Sequence, residues 1–268
     1  MKYSVLMTVY KRDKPSYFKM ALDSMINQTV SPNEIVLVKD GPITKSLQDI
    51  IDNSKKFTNI IEVNLNENVG LGLALNAGIK VCKNELIARM DSDDYSLPKR
   101  CEKQLQAFMK NEKLDIVGLQ VKEFDGNIQN IIGERKVPLT NDQIYKYAKT
   151  RDPFNHPTVM YRKSKLLEVG MYGNYRKNQD TDLWIKLLQS NAKCLNLNDD
   201  LFRFRFDHNT YKKRKNWLNT KLLIEIRHKA YKDGFCSFYD YIKVLIAQIG
   251  IFIIPLCVQE IIYRKLLR

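Results

Sequence analysis

A chain of 268 residues can bury a large core and suits one sizeable domain with an appendage. Lys and Arg outnumber Asp and Glu 44 to 30, a formal charge of +14. A spanning helix is excluded because no run reaches about eighteen uninterrupted apolar residues; the nearest, 244–262, is broken by Gln248, Gly250, Pro255, Gln259 and Glu260. The positive charge is concentrated: positions 203–232 carry ten Lys and Arg against Asp207 and Glu225, so ten minus two supplies +8 of the +14. Such a segment points to nucleic acid, anionic lipid or a diphosphate-bearing substrate.

The chain opens directly into a strand-like run at 3–9, so no signal peptide is expected. Further strand-like runs fall at 34–39, 60–65, 86–90 and 115–119. Between them lie helical patterns: Phe18, Ala21, Leu22, Met25 and Ile26, then Leu71, Leu75 and Ile79 after Gly70. This alternation predicts βαβ units, a mostly parallel sheet with helices on both faces, and strand ends gathered along one edge. From about residue 120 the rhythm changes to a hairpin-like stretch (121–137), a short helix (142–149), and strands at 158–161 and 194–197 separated by a helix at 182–189. Residues 211–268 read as helices, first a basic one and then an apolar pair around Pro255. Five scattered cysteines (82, 101, 194, 236, 257), odd in number, predict reduced, buried thiols in a cytosolic compartment.

Met90-Asp-Ser-Asp-Asp94 ends the fourth strand-like run, and in open α/β sheets ligands bind beyond the carboxyl ends of strands. Three carboxylates in four residues repel one another unless something cationic or hydroxyl-bearing lies between them. Oxygen donors of this kind suit Mg²⁺ or Mn²⁺. The bland alternative is a solvated turn in which Asp94 or Ser96 caps a helix starting near Pro98. Other segments stand in a set order: Ser4-Val-Leu-Met-Thr-Val-Tyr10 leading into Lys11-Arg-Asp13, Val38-Lys-Asp-Gly41, Asn68 to Gly78 with glycines at 70, 72 and 78, Asn155-His-Pro157, and Gln179-Asp-Thr-Asp-Leu-Trp184. The glycine spacing is not the G-x-G-x-x-G of a dinucleotide loop and fits helix–sheet packing equally well.

The ordered set resembles the inverting, nucleotide-sugar-dependent glycosyltransferases of family 2, which have the GT-A fold. Within that family it is similar to bacterial enzymes of O-antigen, capsule and amylovoran-type exopolysaccharide synthesis, through Asp152-Pro-Phe-Asn-His156 and Asp182-Leu-Trp-Ile-Lys186. The resemblance implies a catalytic domain at 1–210, nucleotide-sugar-binding over 1–119 and acceptor-binding over 120–210, with a helical membrane-associating extension at 211–268. It implies nucleotide-sugar contacts from Thr8, Tyr10, Asp40, Gly70, Asn76, Arg89 and Asp91, with Asp40 accepting from the uracil N3–H; as a bare residue Asp40 also reads as a turn former before Gly41. Asp93 and His208 would ligate Mn²⁺ or Mg²⁺, with Asp94 capping or supporting the loop. Arg205, His156, Gln179, Asp182 and Trp184 would serve diphosphate or acceptor.

The general base would be Asp180, with Asp182 as the alternative. Gln179 departs from the family, which has an acid there. The implied reaction moves galactose or glucose from a UDP-sugar to a GlcNAc- or GalNAc-diphosphate-lipid, in β-1,3 linkage, at the cytoplasmic face of the bacterial plasma membrane. The tail fits an anionic bilayer surface; its apolar 249–254 stretch suggests insertion or burial in a homodimer, with packing on the catalytic domain as the alternative. Two rival readings are weaker. A sugar nucleotidyltransferase would need a glycine-rich loop after the first strand, and 8–13 has no glycine. A nucleic-acid-binding module leaves the acidic cluster without a purpose.

Overall fold

The computed structural model describes residues 1–206 and 216–254. Its central sheet has seven strands: β1 (Tyr3–Val9), β2 (Glu34–Lys39), β3 (Ile60–Asn64), β4 (Leu86–Met90), β6 (Ile116–Leu119), β9 (Met160–Arg162) and β10 (Cys194–Leu197). Their spatial order is β10-β6-β9-β4-β1-β2-β3. Every pairing is parallel except those of β9, which runs against both β4 and β6. The mostly parallel α/β architecture expected from the sequence is therefore present, with one reversed strand.

Alternate residues of the central strands feed two cores, as the two-residue period of a strand requires. Val5, Met7, Ile35 and Leu37 pack with Phe18, Leu22 and Met25 of α1 (Pro15–Ile26), Leu47 and Ile51 of α2 (Lys45–Ser54), and Leu105 and Phe108 of α4 (Arg100–Lys110). Leu6, Val36 and Val38 face the other way, onto Leu75 and Ile79 of α3 (Leu71–Val81), Ile144 of α5 (Asn141–Ala148), and Leu183 and Leu187 of α7 (Gln179–Gln189). Burial on both faces explains why these strands read as continuous apolar runs. At Gly78 a Cβ would stand 2.7 Å from Val38 Cγ2, so this glycine lets α3 lie directly on the sheet.

A second sheet has the order β5-β11-β7-β8, built from β5 (Tyr95–Ser96), β7 (Val121–Phe124), β8 (Ile131–Arg135) and β11 (Phe202–Arg205). The hairpin-like stretch at 121–137 is its β7–β8 pair. The strand at 202–205 was not expected, because Phe-Arg-Phe-Arg reads as part of the basic stretch. The segment expected as a strand from 158 begins instead as a 3-10 turn at His156–Thr158, and α6 (Lys163–Glu168) was also not expected.

The C-terminal helices are α8 (Trp217–Lys232) and α9 (Phe238–Ile253). Helix α8 docks on α7 through Ile226 and Ala230, which cluster with Ile185 and Cys236. Its Arg227 is buried and donates to Ala148 O and, at 3.3 Å, to Asp152 Oδ1. No helix among the described residues is long and apolar enough to cross a membrane. Cys82, Cys101, Cys194 and Cys236 are buried free thiols; Cys257 and Pro255 lie outside the described residues.

Candidate active site

The carboxyl ends of β1, β2 and β4 lie side by side, because β1 pairs with both neighbours in parallel register. The acidic loop leaves β4 at this edge. One carboxylate oxygen each from Asp91, Asp93 and Asp94 lies within 4.8 Å of the others. Asp94 is 1 % exposed; its Oδ1 accepts from Arg205 N at 2.8 Å and its Oδ2 has no partner. Burial pushes its pKa well up, and the charges of Asp93 and Asp91 push it further. Crowded carboxylates with an orphaned oxygen are the donor set that a hard divalent cation neutralises. Asp94 thus belongs to the cluster itself and anchors β11 beneath it. It does not cap α4, whose N-cap position is Lys99.

A fourth carboxylate, Asp13, was not singled out from the sequence. It accepts from Tyr10 N at 3.1 Å. Burial raises its pKa to about 6 despite bonds from Tyr10 and Ser92, with Asp93 and Asp91 adding repulsion. Its only sequence signal was its place in Lys11-Arg-Asp13, just past the end of β1.

Arg205 does not present its charge to a diphosphate, which corrects the expectation for that residue. It is 8 % exposed, and its guanidinium carbon sits 3.7 Å from the Tyr17 ring centroid and 4.4 Å from that of Phe124. Its Nε donates to Asp93 O at 2.8 Å. Both backbone and side chain therefore hold the acidic loop from below. His208 lies outside the described residues.

On the β2 side, Asp40 is buried and accepts three N–H bonds: Val69 N to Oδ1 at 2.7 Å, and Asn68 Nδ2 and Gly70 N to Oδ2 at 2.8 and 3.2 Å. A carboxylate offers about four lone-pair sites, which leaves one on Oδ1. Gly70 itself takes φ +94, a conformation open to glycine. Thr8 is partly buried at the end of β1 and Tyr10 is exposed beside it. Asn76 does not face this pocket. Its amide donates to Tyr172 O at 2.8 Å and accepts from Tyr172 N at 3.0 Å, which uses both ends and corrects the nucleotide role expected for it.

Helix α7 brings in the expected base. Burial, followed by the charge of Asp152, raises the Asp180 pKa to about 7. Asp152 is tied to Arg227 at 3.3 Å and accepts from Thr181 Oγ1 at 2.8 Å. Asp182 is buried and paired with Lys186 of its own helix at 2.7 Å, so neither a base nor an acceptor role suits it. Trp184 is a core residue, with ring centroids 5.0 Å from Phe154 and 5.7 Å from His156, and offers no face to acceptor. His156 is buried, its Nε2 2.8 Å from Tyr172 OH; burial and then Arg89 lower its pKa well below the usual imidazole value, so it is a neutral internal link, not an exposed acceptor contact. Gln179 is buried against Gly72. Arg89 is fully buried and paired with Asp91, so it offers no direct contact to a nucleotide sugar and acts on the site through its charge.

An α/β sheet that gathers a metal-type carboxylate cluster at the carboxyl ends of its parallel strands has the layout of a nucleotide-binding transferase. The family model for glycosyl transferase family 2 matches residues 4–170, and the chain belongs to that family. The match stops ten residues before Asp180. Over 267 residues the chain is 35% identical to the UDP-Gal:alpha-D-GlcNAc-diphosphoundecaprenol beta-1,3-galactosyltransferase of Escherichia coli, covering 100% of this chain and 97% of that protein. It is 32% identical to the amylovoran biosynthesis glycosyltransferase AmsE of Erwinia amylovora, covering 98% of each. Among solved structures it is similar to S. aureus TarS 1-349 in complex with UDP-GlcNAc (TM-score 0.62, 20% identity, 100% of this chain and 86% of that one). It is also similar to a mannosyltransferase from Pyrobaculum calidifontis in complex with GDP-Man and Mn²⁺ (TM-score 0.67, 13% identity, 92% and 68%). These two likenesses establish the GT-A fold. The chain is a glycosyltransferase.

Proposed function

We propose that this enzyme moves galactose or glucose, with inversion, from a UDP-sugar to a GlcNAc- or GalNAc-diphosphate-lipid, in β-1,3 linkage, for a bacterial surface polysaccharide. The observation that carries the reading is the acidic loop: one oxygen each of Asp91, Asp93 and Asp94 lies within 4.8 Å of the others, at the strand edge that also holds Asp40. The substrate assignment is supported by the name of the Escherichia coli relative.

Asp91, Asp93 and Asp94 would hold Mn²⁺ or Mg²⁺, which supplies Lewis-acid neutralisation of the departing diphosphate. The nucleobase would sit between the Thr8–Tyr10 strand end and Asp40, whose remaining Oδ1 site suits a single N–H donor. Asp180 takes the proton of the acceptor hydroxyl as its oxygen forms a bond to the anomeric carbon; the bond from that carbon to the diphosphate breaks, and UDP leaves.

The catalytic unit would be 1–210, with 211–268 as the extension that meets the membrane. On α9, Tyr239, Ile242, Ile246, Ile249 and Ile253 recur along one face, and Tyr239, Ile246, Ile249 and Ile253 are exposed. An apolar stripe on a chain of +14 charge suits an anionic bilayer surface, where a lipid-linked acceptor is found. Arg205 and Arg227 are internal and take no part in it.

The test is a donor screen with synthetic GlcNAc- and GalNAc-diphosphate-lipids in Mn²⁺ or Mg²⁺. Transfer from UDP-galactose or UDP-glucose is expected. Transfer only from a guanine or cytosine nucleotide sugar would overturn the donor assignment.

A further inference from the structure

Three contacts tie residues 170–179, the segment that leads into α7 and the first residue of that helix, to the nucleotide side of the fold. Asn76 of α3 holds the backbone of Tyr172 by the two bonds given above. Gln179 packs so closely under Gly72 that a Cβ there would stand 3.1 Å from Gln179 Cβ. Arg176 reaches across to Asn68: its Nη1 donates to the backbone O at 3.3 Å and to Oδ1 at 3.2 Å, and its Nη2 donates to the same backbone O at 3.3 Å. The guanidinium lies over Gly70, whose Cβ would meet Nη1 at 3.1 Å. The segment opens with left-handed Gly170 and Met171 and closes with left-handed Asn178, two residues before Asp180. A left-handed methionine is held there only when surrounding contacts fix it.

The first two contacts join helix to helix or helix to segment. Arg176 differs, because it touches the loop that grips Asp40. We propose that Arg176 is a positioning residue that couples the donor pocket to the base, so that UDP in the pocket improves the fit of the acceptor at Asp180. The proposal rests on the reading of Asp40 and residues 68–70 as the nucleotide pocket and of Asp180 as the base.

By fixing Oδ1 of Asn68, Arg176 sets which end of that amide faces Asp40. The Nδ2 end then donates to Asp40 Oδ2 at 2.8 Å and to Asp40 O at 3.3 Å. A nucleobase drawing on Asp40 pulls on the 68–70 loop, and the guanidinium carries that displacement into the segment four residues ahead of Asp180. The Arg fork suits this task because it engages the Asn68 carbonyl and side-chain oxygens together; a lysine ammonium keeps the charge but not the planar geometry. Coupling of this kind is reciprocal and measurable as a ratio of affinities.

The experiment measures equilibrium binding of a short-chain GlcNAc-diphosphate-lipid with and without saturating UDP and Mn²⁺, in the wild type, Arg176→Ala and Arg176→Lys, with thermal melting of each. In the wild type UDP should tighten acceptor binding by at least about fivefold, the lower end for coupled sites. In Arg176→Ala that factor should fall toward one, while the melting temperature and the affinity for acceptor alone hold steady, as expected for an exposed side chain. Arg176→Lys should fall between them. An unchanged factor in Arg176→Ala, or a factor of one in the wild type, overturns the proposal. Wild-type protein that does not bind UDP, or a fully active Asp180→Asn, instead sinks the reading beneath it.

Discussion

Arg89 and Asp91, two residues apart where β4 gives way to the acidic loop, form an ion pair in which the cation's side chain is 1% exposed and the anion's 29%. Arg89 Nε and Nη1 have no partner, while Arg100 Nη2 donates to Arg89 O at 2.6 Å from below. A buried cation of this kind acts on every carboxylate around it, Asp94 and Asp180 among them.

Removing that cation should move the acid limb of the rate profile. Arg89 lowers the Asp180 pKa, against burial and Asp152, which raise it. In Arg89→Met the base is therefore harder to ionise, and the acid limb of kcat should shift to higher pH. A pH–kcat series decides it; a limb that stays in place means that Asp180 does not sense Arg89.

In the wild type, turnover should fall as pH drops through about 7, where Asp180 takes up a proton and can no longer act as a base. Asp180→Asn should lose roughly 10²- to 10⁴-fold in kcat, with UDP affinity near that of the wild type. The stability effect has the opposite sign. A carboxyl whose folded pKa is raised stabilises the fold below its unfolded value and loses that contribution as pH rises through about 7. At pH 8 Asp180→Asn should therefore melt at or above the wild-type temperature, which calorimetry can check.

Asp93→Ala should abolish metal-stimulated transfer and leave the fold intact, because it thins a repulsive cluster without emptying a core. Asp91→Ala should weaken UDP-sugar binding and also destabilise the protein, since it strands the buried Arg89 without its anion. Calorimetric titration with UDP and Mn²⁺, paired with melting curves, separates the two. Equal melting temperatures for both variants would count against the role given to Arg89.

Arg227→Ala should loosen α8 from the catalytic domain, since it removes the bonds to Ala148 O and Asp152 and leaves Asp152 to repel Asp180. We expect a loss of about 1–3 kcal/mol, kept modest because Asp152 is 40% exposed. Denaturant titration measures it, and a change within error would mean that α8 is held by its apolar contacts alone.

The double variant Ile246→Asp/Ile249→Asp should lose binding to anionic vesicles while retaining UDP affinity, because both side chains are exposed on α9 and away from the site. Co-sedimentation at low and high salt reads the apolar and the electrostatic parts separately. Undiminished sedimentation would place the contact elsewhere.

What the sequence made legible follows from where each residue's partners lie. Strands β1 and β2 carry their own apolar runs and helices α1 and α3 their own periodicity, so local pattern sufficed, and the acidic loop was legible because three carboxylates in four residues conflict with folding alone. Arg205 was misread for the opposite reason: its cage of Tyr17 and Phe124 comes from distant parts of the chain, and nothing near Arg205 announces it. Trp184 and His156 were taken for acceptor contacts, but they meet each other only when the His156–Thr158 turn and α7 are folded together. Asp13 was passed over because a single acid after a strand is common. Its meaning appears only when β1 and β4 bring it beside Asp91 and Asp93.

The bond from Arg205 N to Asp94 joins residues 111 positions apart, and this separation sets an order of assembly. A chain emerging from the ribosome presents all three loop carboxylates, and Asp180 after them, before the residue that clasps the loop has been made. The acidic loop thus gains its anchor late, after its own carboxylates and Asp180 have been made. A fragment ending at residue 200 should bind UDP and Mn²⁺ poorly even though it contains every carboxylate of the site.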